Sequence, residues 1–221
     1  MKTLMKILKI VVFFVLVYFA FFWHNRISRE AALNKIIDNL KADTKIAEVL
    51  VTDSKKNAAG EVETTIKFLE YGSKGAPLKP KYFTFKANII QFQALVVRFD
   101  DIFVEKKDRI KGRSAYLFTK VFALDGAKTA VFDIAKAYET PEGYSVEGVS
   151  AGLQNEIWKR FWKYVLDPSE RGNLGIKNAQ IEAPGSLFVP GTIYTIKIEH
   201  DGGIWIDTRP IPTILKGETI K

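Results

Sequence analysis

The chain has 221 residues, with 33 Lys and Arg against 25 Asp and Glu for a net charge of +8, and no cysteine. The missing thiols exclude disulfides, thiolate catalysis and cysteine-held zinc or iron–sulfur centres, and two histidines, His24 and His200, are too few for a multi-histidine metal site. Hydrophobic residues at 47% and charged ones at 26% describe a folding chain rather than a disordered one.

Residues Ile10 to Trp23 carry no charge, and extending back to Leu4 adds only Lys6 and Lys9. As a helix, that stretch from Leu4 spans about 30 Å, the thickness of a bilayer's hydrocarbon core. Its end, Phe19-Ala20-Phe21-Phe22-Trp23-His24, has no pair of small residues flanking a cleavage site. The expectation is an uncleaved transmembrane signal anchor over residues 1–25. The bases Lys2, Lys6 and Lys9 before the run nearly balance Arg26, Arg29 and Lys35 after it. The basic-then-apolar order favours an inside N-terminus and a translocated domain. No asparagine lies in a glycosylation sequon, which points to a bacterial inner membrane with the domain in the periplasm.

Residues 26–44 read as an amphipathic stalk helix, since Leu33, Ile36, Ile37 and Leu40 follow helical spacing. It packs on the following domain or pairs with other copies as a short coiled coil. A β-rich domain is expected over 45–209. Lys45–Thr52 and Val62–Tyr71 form a hairpin, and Gly72–Pro80 is a loop. The stretch 82–99 alternates through Phe83, Phe85, Ala87 and Ile89, then shifts phase to Ile90, Phe92, Ala94 and Val96, which marks a bulge or a break between strands. Ala115–Leu124 and Thr129–Tyr138 make a second hairpin through Asp125-Gly126-Ala127. Gly152–Leu166 is a helix ended by Asp167-Pro168. Ile176–Ile181, Thr192–Glu199 and Ile204–Ile206 are strands, and 210–221 is an irregular tail. The fold class is α+β: mainly an antiparallel β meander with one packed helix, after a single N-terminal transmembrane helix.

Three constellations invite chemistry. Gly148-Val149-Ser150-Ala151-Gly152 has the spacing of a serine-hydrolase nucleophile turn, with Asp167 and His200 following in order. That motif needs a mostly parallel sheet with alternating helices, whereas a meander makes Ser150 the cap of the next helix. The helix segment from Trp158 to Tyr164 interleaves bases with aromatics, so Trp158 and Trp162 are either core residues or an interfacial or partner-docking face. The run 105–113 holds Lys107, Arg109, Lys111 and Arg113, a solvated loop or a contact for headgroups or an acidic partner. The pairs Asp100-Asp101 and Glu61/Glu63 are explained by solvation.

No catalytic, metal or cofactor residue is assigned. The expected function is a non-enzymatic, single-pass membrane-anchored subunit or interaction module. Its candidate contacts are Trp158, Trp162, Lys107, Arg109, Lys111 and Arg113. Membrane lipid and a protein partner or second copy are its expected partners, and nucleic acid is not. A domain binding a lipid or small apolar ligand, and a serine hydrolase through Ser150, are the alternatives.

Overall fold

The computed structural model describes residues 11–23, 31, 33, 35, 45–56, 60–72, 75–99, 114–124, 130–146, 148–174, 176–198 and 203–213. Residues 11–23 are helical (α1), and every one is exposed. Among the described residues no helix is long and apolar enough to cross a membrane. Ala31, Leu33 and Lys35 are also helical, and Leu33 is buried in the core of the domain. That burial favours a stalk packed on its own domain. Ile36, Ile37 and Leu40 lie outside the described residues.

Ten strands follow. They are β1 (Lys45–Lys56), β2 (Val62–Glu70), β3 (Lys81–Phe85), β4 (Ile89–Phe99), β5 (Ser114–Ala123), β6 (Val131–Asp133), β7 (Ile176–Glu182), β8 (Gly185–Leu187), β9 (Thr192–Ile198) and β10 (Ile204–Pro210). Helix α2 (Ala151–Leu166) lies between β6 and β7. The first sheet has the order β10-β9-β1-β2-β3; the second runs β6-β5-β4-β7, with β8 also on β4. Every strand pair is antiparallel. Each sheet is a local three-stranded meander joined by two distant strands: β9, with β10 beside it, returns from the C-terminal part to pair with β1, and β7 and β8 both pair with β4. The fold is therefore mostly antiparallel β with helices, as expected. The architecture is two stacked sheets with α2 laid on the outer side of the second.

The phase shift between Ile89 and Ile90 has a physical cause. Phe83 and Phe85 point inward from the first sheet, residues 86–88 carry the chain across, and Ile90, Phe92, Ala94 and Val96 point inward from the second. Between the sheets, Phe68 stacks on Phe92 at 5.2 Å and meets Phe118 edge-on at 5.2 Å. The other face of β4, with Leu95, Val97 and Phe99, packs against Ile157, Trp158, Phe161, Trp162 and Val165 of α2. The middle of β4, from Ala94 to Val97, is buried on both faces, so its sequence is continuously apolar rather than alternating.

Three strands differ in length from expectation, the first being β1, which continues past Thr52 to Lys56 opposite Val62–Thr65 of β2. The partner of β5 stops at Asp133, because the Ile134 and Ala135 amides both donate to the Thr119 carbonyl and Tyr138 takes φ 66, turning the chain away. In the other direction, β10 continues past Ile206 to Pro210, held by β9. The short strand β8, only three residues, carries too little pattern to be legible in advance.

Phe68 touches rings from both sheets, so Phe68→Ala opens a cavity at their junction. A loss of about 3–5 kcal/mol in unfolding free energy is expected from urea titration. A loss below about 1 kcal/mol would mean that the sheets are not held by this cluster.

Candidate functional site

Of the six residues expected at a contact surface, Lys107, Arg109, Lys111 and Arg113 lie outside the described residues. Trp158 and Trp162 are core residues instead of a docking face: both are buried, and Phe161 between them makes edge-on contacts with each. The apolar stripe of α2 is consumed by Leu95, Val97 and Leu117 beneath it. Its outward side carries the exposed Lys159 and Arg160, with Lys163 paired to Glu170 at 2.9 Å.

Ser150 is the N-cap of α2. Its backbone is extended (φ −62, ψ 148) and its hydroxyl accepts from the Leu153 amide. Gly148 supplies the positive φ of 76 that turns the chain into the helix. Asp167 caps the opposite end and accepts from the Ser169 amide and hydroxyl. A helix of this length separates Ser150 from Asp167 by about 24 Å, so the two cannot share one catalytic site. His200 lies outside the described residues.

The two ends of the sandwich differ in chemistry. The chain arrives in the sheets at Lys45. The Tyr116 hydroxyl, on β5, donates to the carbonyl of Tyr71, just past β2, which aligns this near end of the first sheet with the Val96–Phe99 end of the second. The far end holds Ile89, Leu124, Leu187 and Val131, each between 45% and 53% exposed. Ile89 is paired with Leu187, and the Leu124 amide donates to the Ile89 carbonyl. These three sit on the α2 side of the second sheet, as does Val131, which pairs with Phe122 one row along. Helix α2 covers Leu95 and Val97 but not this corner. Four half-exposed aliphatic side chains in neighbouring register positions are more than the scattered single leucines of an ordinary surface.

A second cluster was missed in sequence. Glu70, the last residue of β2, is buried, and its Oε1 accepts from the Tyr144 hydroxyl at 2.6 Å. Burial pushes the Glu70 carboxyl up to about 7, against smaller opposing effects from the Tyr144 hydrogen bond and the Lys81 ammonium. Burial also holds the Tyr144 and Tyr116 phenols well above their ordinary range. Glu70, Phe68, Leu78, Lys79, Lys81, Glu142 and Gly143 line a cleft of about 40 Å³. That space admits water, whereas a small-molecule site occupies roughly 300–1,000 Å³. Glu70 is thus a proton-holding group that ties the Tyr144 segment to β2. The signal for it was available: Thr64, Ile66, Phe68 and Glu70 share the inward phase of β2.

No family model, curated protein or solved structure matches the chain.

Because the folded state keeps the Glu70 proton that the unfolded chain releases near 4.5, Glu70 contributes stability below that pH. The contribution falls as pH rises to about 7, by a total on the order of 3 kcal/mol. Glu70→Gln, which keeps an acceptor for Tyr144 and cannot ionise, is expected to remove that decline. Urea midpoints measured from pH 4.5 to 8 check it, and identical slopes for both proteins would show that Glu70 does not titrate in this range.

Proposed function

We propose that the chain is a non-enzymatic, single-pass membrane-anchored interaction module. Residues 1–25 hold it in a bacterial inner membrane, and the β-rich domain, in the periplasm, contacts a protein partner. The observation that carries the contact reading is the apolar corner at Ile89, Leu124, Val131 and Leu187. It lies at the opposite end of β4 from the side where the chain arrives, about 35 Å away along the strand. A partner bound there clears the anchor. Burying such a corner returns about 25 cal/mol per Å² of apolar surface, enough to make it the centre of an interface.

The anchor reading is supported by the uncharged run ending at Trp23 and by a helical stretch, 11–23, whose aliphatic and aromatic side chains are exposed on all sides. A helix apolar all round has no preferred face to lay on a domain.

Two experiments test this. Two arginines in the run, Val15→Arg with Phe19→Arg, cost roughly 2.5–3.5 kcal/mol each at mid-membrane and are expected to release the protein from carbonate-washed membranes. A double variant that stays in the pellet argues against a spanning anchor. For the contact, the full chain is purified from its own membrane in mild detergent and its particle mass measured. A hetero-complex of fixed stoichiometry is expected, lost on Leu124→Glu with Leu187→Glu while the Tm of the domain is kept. A particle that is a lone chain, or one untouched by both substitutions, would sink the reading.

A further inference from the structure

The near end of the first sheet carries a row of a different kind. Lys45 pairs in register with Lys197, and Lys197 with Trp205, so three adjacent strands present these residues side by side. The Lys45 ammonium lies 4.2 Å from the centre of the Tyr71 ring, and the Lys197 ammonium 4.7 Å from the Trp205 ring. Each base is stacked on an aromatic, and each also has a carboxylate: Glu48 at 3.5 Å from Lys45, and Asp207 at 2.8 Å from Lys197. Trp205 remains 40% exposed. Arg209 shares Glu48, at 3.1 Å, so the row sets three bases against two carboxylates, aromatic in body and charged at its tips.

This row stands at the end where the chain comes in from α1. Leu33, ten residues beyond Trp23, is buried in the core cluster that α2 forms with Leu95, Val97 and Phe99 of β4. Ten residues reach at most about 35 Å, so this end is held close to wherever Trp23 sits. Tryptophan and tyrosine rings with lysine stems are the side chains that partition to the headgroup layer, where an apolar body and a polar tip are both accommodated.

We propose that the row Tyr71, Lys45, Lys197 and Trp205 rests in the headgroup layer of the membrane that holds α1, setting the domain upright with its apolar corner outward. This rests on the anchor reading above. Since Glu48 and Asp207 offset most of the charge of Lys45, Lys197 and Arg209, the contact does not depend on anionic lipid: it forms on zwitterionic phosphatidylcholine and is weakly sensitive to salt. A protein partner or a second copy covering the row are the competing occupants.

The chain has no cysteine, so single-cysteine variants of the full chain can be labelled with an environment-sensitive dye at one site each. Phe14→Cys reports the anchor, Trp205→Cys the near end and Leu124→Cys the far end. The labelled proteins are reconstituted into phosphatidylcholine vesicles, with lipids carrying a nitroxide at the headgroup or deep in the acyl chain as quenchers. Unchanged Tm values in detergent establish that each variant is folded. The expected result is deep quenching at 14, headgroup-level quenching at 205 that survives high salt, and an aqueous spectrum at 124. Loss of Lys45 and Lys197 stems (Lys45→Ala with Lys197→Ala) in the Trp205→Cys background is expected to reduce the headgroup quenching by half or more, leaving position 14 unchanged. An aqueous label at 205 beside an embedded one at 14 overturns the docking and leaves the anchor standing. An aqueous label at 14 overturns the anchor reading, and the docking with it. A shielded label at 205 that lipid quenchers do not reach assigns the row to a protein occupant instead, and lipid quenching at 124 reverses the orientation; either result overturns the proposal.

Discussion

The structure depends on β4 being buried on both faces. A strand that is apolar on one side needs one covering layer, but the stretch from Ala94 to Val97 needs two. The first sheet supplies one through Phe68 and its neighbours, and α2 supplies the other through Ile157, Phe161 and Val165. That demand sets the order of the layers and puts α2 on the second sheet rather than the first. It also accounts for the two tryptophans of α2: they close the core over β4 and are not free for another role.

The same demand is met only partly. Helix α2 covers the half of the second sheet near Phe99 and leaves the half near Ile89 bare. The bare half is still aliphatic, at Ile89, Leu124 and Leu187, although nothing in the sandwich requires it to be. Isolated exposed apolar residues cost a fold little, but here they follow the strand register of a face that is buried elsewhere. The near end shows the opposite character, with ring-stacked lysines and paired carboxylates. A domain whose two ends differ this way is polarised along its strands.

Much of the fold was legible in the sequence for simple reasons. The hairpin β1–β2, helix α2 with its Ser150 cap, and β9–β10 all announce themselves through local periodicity and turn residues. The shift between Ile89 and Ile90 was legible as a break but not as a change of sheet, because local pattern carries no information on which layer a strand joins. Long-range pairings such as β1 with β9 were illegible for the same reason. At the level of sites, sequence favoured dense clusters of charge or aromatics. It therefore drew attention to Trp158 and Trp162, which packing explains. It passed over Glu70, a single acid whose meaning lies in its phase with Ile66 and Phe68, and over Trp205, whose partners are on other strands.

Glu70 is held in place by burial and by a hydrogen bond from Tyr144. Its carboxyl is desolvated, and the Tyr144 hydroxyl compensates only in part, so the group keeps its proton to about pH 7. Replacing it with an apolar residue would strand the Tyr144 hydroxyl in the same desolvated place, while ionising it without Tyr144 would cost more still. The two residues are therefore energetically coupled. Tyr116 extends the pair to the backbone, donating to the carbonyl of Tyr71, the residue after Glu70. The connection joins the end of β2, the segment before α2 and the inner face of β5 at the near end of the sandwich. The same connection ties the backbone of Tyr71, whose ring lies under the Lys45 ammonium, to the core of the sandwich.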